Sequence, residues 1–125
     1  MTAFEAIQTA LSQFGFPCVP NLYTGKEQKY FRYNYADING GDFGDNMPGC
    51  NVTSVQVHLF YPLKEDYLAT MRSVQRALFD QDFTWPHITV LDEYAEVEAE
   101  SAGKRQGLDG VRHIVFECEY EETID

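Results

Sequence analysis

The sequence predicts an α+β fold: a mostly antiparallel sheet of about four main strands with two helices packed on one face. Three observations carry this. Apolar residues recur at helical spacing in two segments, they alternate at strand spacing in three others and form a short branched run in a fourth, and the order is helix, two strands, helix, two strands. At 125 residues the chain has the size of one domain, spanning 1–125. Folding at this length buries roughly 65% of the surface the unfolded chain exposes, so neither a disulfide nor a structural metal is required.

Thr2 and Glu5 have capping-box spacing, and Phe4, Ile7, Leu11 and Phe14 follow at helical intervals until Gly15, which predicts a helix over about 3–14. Pro17 and Pro20 prevent its continuation and turn the chain toward an extended course. From Lys29 to Ala36, Phe31, Tyr33 and Tyr35 alternate with Tyr30, Arg32 and Asn34, a strand with one aromatic-heavy face. Residues 37–50 hold four glycines, a proline and no base, and read as a long loop, functional or mobile. The clearest strand is 52–61, with Val55, Val57, Leu59 and Tyr61 on one face and Gln56, His58 and Phe60 on the other. An amphipathic helix over about 65–79 follows, marked by Tyr67, Leu68, Met71, Val74 and Leu78, with Arg72 and Arg76 beside the stripe. Residues 83–86 read as a turn and 87–91 as a short strand. The last strand, 111–120, puts Ile114, Phe116, Cys118 and Tyr120 opposite His113, Val115, Glu117 and Glu119. The expected core is Phe4, Ile7, Leu11, Phe14, Val55, Val57, Leu59, Leu68, Met71, Val74, Leu78, Ile114 and Phe116.

Nine Lys plus Arg against twenty Asp plus Glu give a net charge of −11, which argues against a protein built to grip phosphates. With 44% hydrophobic and 14% aromatic residues, the composition is that of an acidic, soluble, globular domain and not of a disordered chain. No apolar stretch approaches a membrane span, and the first residues lack the basic start and apolar block of a secretory signal, so the expected site of synthesis is the cytoplasm. Cys18, Cys50 and Cys118, odd in number and widely spaced, are expected as free thiols.

Chemistry-bearing patterns are weak. His58, His87 and His113 show no metal-ligand spacing, and Gly40, Gly41 and Gly44 lie among aspartates between strands, where phosphate is repelled. Asp37, Asn39, Asp42 and Asp45 supply hard oxygens for calcium, yet the twelfth position from Asp37 is Pro48 where a bidentate Glu belongs. Glu117, Glu119 and Glu121 alternate along one strand face and serve as acid/base groups only under a cleft. No cofactor, metal or catalytic residue is expected. The runs 92–100 and 117–125, with Asp37, Asp42 and Asp45, hold thirteen of the twenty acids, and this segregation suggests a directed field. Eighteen aromatic residues exceed what a small core hides, and tyrosine-rich strand faces often become protein interfaces.

An ordered string of short pieces runs through residues 4–120. It comprises Gly15-Phe16-Pro17 with Val19, Tyr30-Phe31, Gly41-Asp42-Phe43-Gly44-Asp45-Asn46, and Val55-Gln56-Val57-His58-Leu59-Phe60. It continues with Arg72-Ser73-Val74-Gln75-Arg76-Ala77-Leu78-Phe79, Phe83-Thr84-Trp85-Pro86 and His113-Ile114-Val115-Phe116-Glu117-Cys118-Glu119. The string resembles the tail-terminator proteins of long-tailed bacteriophages and prophages, particularly small versions from hosts related to the Gram-positive bacteria. The resemblance implies a structural virion protein of the tail and neck region, assembled in the host cytoplasm. Such a subunit forms a six-membered ring, caps the tail tube and joins the tail to the head connector or stopper, with no membrane contact and viral DNA only passing through. The chain departs from the shortest relatives by its acidic stretch at 92–107.

On this reading Asp42, Phe43 and Met47 dock on the adjoining ring, Tyr33, Tyr35, Phe60, Arg72 and Arg76 meet the neighbouring subunit, and Glu117, Glu119 and Glu121 face the channel. Two alternatives stay open: another tail-completion or tube ring protein, since fold analogy does not separate neighbouring rings, and a stand-alone bacterial ligand-binding or small enzymatic domain.

Overall fold

The computed structural model describes residues 1–44, 47–93 and 111–123, with side chains described outside 41–48, 92–93 and 123. Helix α1 is Ala3–Leu11, continued by a single 3-10 turn at Ser12–Phe14. Its start is the capping box expected from the sequence: Thr2 Oγ1 accepts the Glu5 N–H at 3.2 Å and Glu5 Oε1 accepts the Thr2 N–H at 2.7 Å. The end is Gly15, at φ 74°, a left-handed conformation that any Cβ would oppose.

Strand β1 is Cys18–Pro20, β2 is Tyr30–Gly44, β3 is Met47–Pro62, α2 is Leu68–Asp80, β4 is His87–Glu93 and β5 is Val111–Thr123. The five strands form one sheet in the order β1-β2-β3-β5-β4. All pairings are antiparallel except β1 with β2, a short parallel edge not foreseen as a strand. Both β3 and β4 run antiparallel to β5, so α2 carries the chain over β5 in a split crossover and the last strand fills the gap.

The expected loop at 37–50 is instead a continuation of both strands, paired from Asp37 opposite Ser54 to Gly44 opposite Met47. Its glycines and aspartates disfavour strand taken alone, but β3 is already held by β5 as far as Cys50 opposite Thr123, and β2 follows that template. A β-bulge at Ala36 marks the change of register between Tyr35 and Asp37. Much of the acidic stretch at 92–107 lies outside the described residues.

Both helices cover the same sheet face. Ile7, Leu11, Val74 and Leu78 pack there on Phe31, Val55, Val57, Leu59, Ile114 and Phe116, all fully buried. Phe4, Phe14 and Met71 are partly buried against this core. Leu68, expected in the core, is exposed: it opens α2 at the position where Asp66 Oδ1 accepts its N–H, and it faces outward from the first turn. Phe83, Tyr61 and four small α1 and α2 alanines complete the core. Thr53 is the fully buried polar residue of β3, and its hydroxyl donates to the Tyr120 carbonyl at 2.9 Å. All three cysteines are free thiols, and burial pushes Cys18 and Cys118 up to about 12, the latter with help from the Glu119 charge.

Candidate functional site

The helix-free face of the sheet gathers the polar and aromatic side chains. Strand alternation sends Tyr30, Arg32 and Asn34 of β2, Gln56, His58 and Phe60 of β3, and His113, Val115, Glu117 and Glu119 of β5 to that side. Register then aligns them in rows: Tyr30–Phe60–His113, Arg32–His58–Val115, and Asn34–Gln56–Glu117.

The first row is an aromatic ladder. Tyr23 stacks on Tyr30 at 4.3 Å between ring centroids, Tyr30 on Phe60 at 4.6 Å, and Phe60 on His113 at 4.3 Å. The Arg32 guanidinium lies 5.2 Å from the Phe60 ring centre, so a cation caps the ladder's face.

Beside it runs a polar chain. Gln56 Nε2 donates to Glu117 Oε2 at 3.3 Å, and Asn34 Nδ2 donates to Gln56 Oε1 at 3.4 Å and to the Tyr35 carbonyl. That orientation leaves Asn34 Oδ1 to accept from His58 Nε2 at 3.2 Å. A neutral His58 therefore presents an Nδ1 lone pair, and His113 Nε2–H donates to it across 2.7 Å. Both rings are buried. Sequence spacing gave no hint of this pair, because 55 residues separate the two histidines and only the β3–β5 register brings them together.

Glu117, Glu119 and Glu121 lie where expected relative to one another, exposed in alternation along β5. Ser54 Oγ donates weakly to Glu119 Oε2 at 3.5 Å, and Thr84 brackets the Glu119 backbone, accepting its N–H and donating to its carbonyl at 2.9 Å each. No Lys or Arg occurs in the sequence between Arg32 and Lys64 or after Arg112, so among the described residues the parts of β2, β3 and β5 at this end carry carboxylates and no lysine or arginine.

The five expected interface residues do not form one surface. Tyr33 is a core residue, buried under α1 with its ring edge-on to Phe4 and its hydroxyl accepting from Gln8 at 2.7 Å; the aromatic alternation put it on the helix-covered face. Phe60 belongs to the opposite face, in the ladder. Tyr35 is half-exposed at the sheet's edge, stacked on Phe4 at 4.4 Å. Arg72 and Arg76 project from the outside of α2 into a 370 Å³ recess with Gln13, Ser73, Ala77 and Asp80, and Arg76 Nε contacts Asp80 Oδ1 at 3.0 Å. The side chains of Asp42, Phe43 and Met47 lie outside the described residues.

A recess of 1010 Å³ opens at the other end of the sheet between Gly15–Pro17, Lys26–Lys29, Pro62 and Glu65. Its Lys29 is held by Glu65 at 2.7 Å and lies over the Tyr61 ring, and the Glu65 hydrogen bond raises its pKa. Among the described residues no three His, Cys, Asp or Glu side chains converge as a metal site, and no helix is long and apolar enough to cross a membrane. The chemistry this arrangement offers is recognition: a stacked aromatic strip and an acidic margin on one rigid sheet.

No family model, curated protein or solved structure matches the chain.

Proposed function

We propose that the protein is a structural ring subunit of a bacteriophage tail, of the tail-terminator kind, with no catalytic activity of its own. The observation that carries this reading is the two-faced sheet. Both helices lie on one face, and Glu117, Glu119 and Glu121 stand exposed on the other, on a stretch of β5 that carries no lysine or arginine. Turned inward in a ring, that margin makes a lumen that repels phosphate and lets viral DNA slide through without being held. The ordered string of short motifs adds the count of six and the neighbours: the tail tube below and the head–tail connector or stopper above.

The end of the β2–β3 hairpin, with Asp42, Phe43 and Met47, is the part this reading assigns to docking on the adjoining ring. The hairpin extends well past the short β1 edge, a geometry suited to reaching a neighbour. Changing Phe43 and Met47 together to Ser is expected to leave subunits folded and to weaken capping of tubes.

Native mass spectrometry with electron microscopy of the assembled species tests the reading. A closed ring with the carboxylates of β5 on the inner wall is the expected result. A monomer at every concentration overturns it, and a ring with those carboxylates on its outer wall overturns the lumen assignment.

A further inference from the structure

Two patches of exposed apolar surface lie on opposite flanks of the sheet. On one, Phe79 at the end of α2 is 44% exposed and packs edge-on at 5.3 Å against Trp85, 54% exposed, just before β4. Gln75 Nε2 donates to the Pro86 carbonyl at 2.9 Å and fixes this side of α2 to the start of β4. On the other flank, Tyr35 is 37% and Ile38 51% exposed on β2, beyond the reach of β1, which pairs only with Phe31–Tyr33. Large apolar side chains left in water beside a sheet edge are a liability unless something covers them.

The two patches match in level and direction. Thr84, next to Trp85, bonds the Glu119 backbone, Glu119 is opposite Ser54, and Ser54 is opposite Asp37, so one row across the sheet links both patches. The β4 strand runs opposite to β2, and rotation about an axis along the strands preserves those directions. The β4 edge of one copy therefore meets the β2 edge of the next in antiparallel sense. Pairing the Phe79–Trp85 flank with itself would instead leave Tyr35 and Ile38 uncovered.

We propose that the Phe79–Trp85 flank of one subunit seats on the Tyr35–Ile38 edge of a second copy, a head-to-tail contact that repeats around a closed ring. The inference rests on the ring reading and names its contact.

Trp85 is the only tryptophan, so its fluorescence reports its own burial. In the full-length protein, native mass and Trp85 emission are followed together over a concentration series for the wild type, Ile38→Arg and Trp85→Ala, with far-ultraviolet circular dichroism as a check on folding. Both substitutions fall on exposed side chains. The expected result is a wild-type ring whose emission shifts to the blue as it forms. Association should be at least tenfold weaker in either variant, and Ile38→Arg should show no shift. A ring that forms in Ile38→Arg as in the wild type overturns this contact and leaves the ring reading standing. Loss of assembly in Trp85→Ala alone points to a self-paired flank and also overturns it. A wild type that stays monomeric overturns the ring reading itself.

Discussion

The Tyr35 hydroxyl donates to Glu122 Oε2 at 3.0 Å, and the same oxygen accepts the Ala3 N–H at the start of α1. A carboxylate near the end of β5 thus sits at the positive end of the first helix and ties it to β2. Burial, then the Glu122 hydrogen bond and charge, push the Tyr35 phenol up to about 12 from 10. A group whose pKa is raised on folding stabilises the native state below its unfolded pKa and loses that contribution as pH climbs through the folded one. Stability is therefore expected to fall between about pH 10 and pH 12, and Tyr35→Phe should flatten that fall. Denaturant melts of both proteins at pH 9 and pH 11 measure it; equal slopes contradict the assignment.

Leu59 and Phe116 are fully buried on adjacent central strands, so truncating either to Ala should cost about 2–5 kcal/mol. Leu68→Ala, on an exposed position, should change stability by no more than about 0.5 kcal/mol. Urea melts separate the two; a large loss at Leu68 would show that α2 sits differently from the structure described.

The 2.7 Å contact between His58 and His113 predicts energetic coupling. Removing one ring leaves the other's buried nitrogen without this partner, at a cost of about 1–3 kcal/mol. A double-mutant cycle with His58→Phe and His113→Phe should return a coupling of about 0.5–3 kcal/mol. Additive losses would mean that the rings merely lie side by side.

Assembly should strengthen with salt. Each copy carries −11, and bringing copies together in the proposed ring concentrates like charge that screening relieves. Sedimentation at roughly 0.05 and 0.5 M salt decides the sign, and dissociation at the higher value would show that attractive ion pairs at Arg72 or Arg76 dominate.

Much of the architecture was legible because it is written in local periodicity. The capping box at Thr2 and Glu5, the stop at Gly15 and the alternation through Val55, Val57 and Leu59 each depend on neighbours in the chain. What escaped depends on pairing at a distance. Gly40 and Gly41 are poor strand residues whose conformation is set by Asn51 and Cys50 across the ladder. Three residues of β1 are too few for a period to show. Alternation assigned His58 and His113 to polar strand faces, but only the register of β3 on β5 makes those faces one and the two rings neighbours. Tyr33 and Tyr35 share a face by alternation, and sequence alone does not say that α1 covers the first and leaves the second half-exposed.

The position of β5 has a kinetic consequence. Strand β5, Val111–Thr123, is made after β4 yet lies between β3 and β4, and among the described residues it is the strand that pairs with β4 in the sheet. During synthesis the first helix and the long hairpin emerge early but lack their central partner, while α2 and β4 have nothing to close against. Consolidation thus waits for β5, and contacts of such long sequence separation are slow to form. Until then the edge of β3 stays open to pairing with other nascent chains, so aggregation during expression should respond more to β5 than to any element before it.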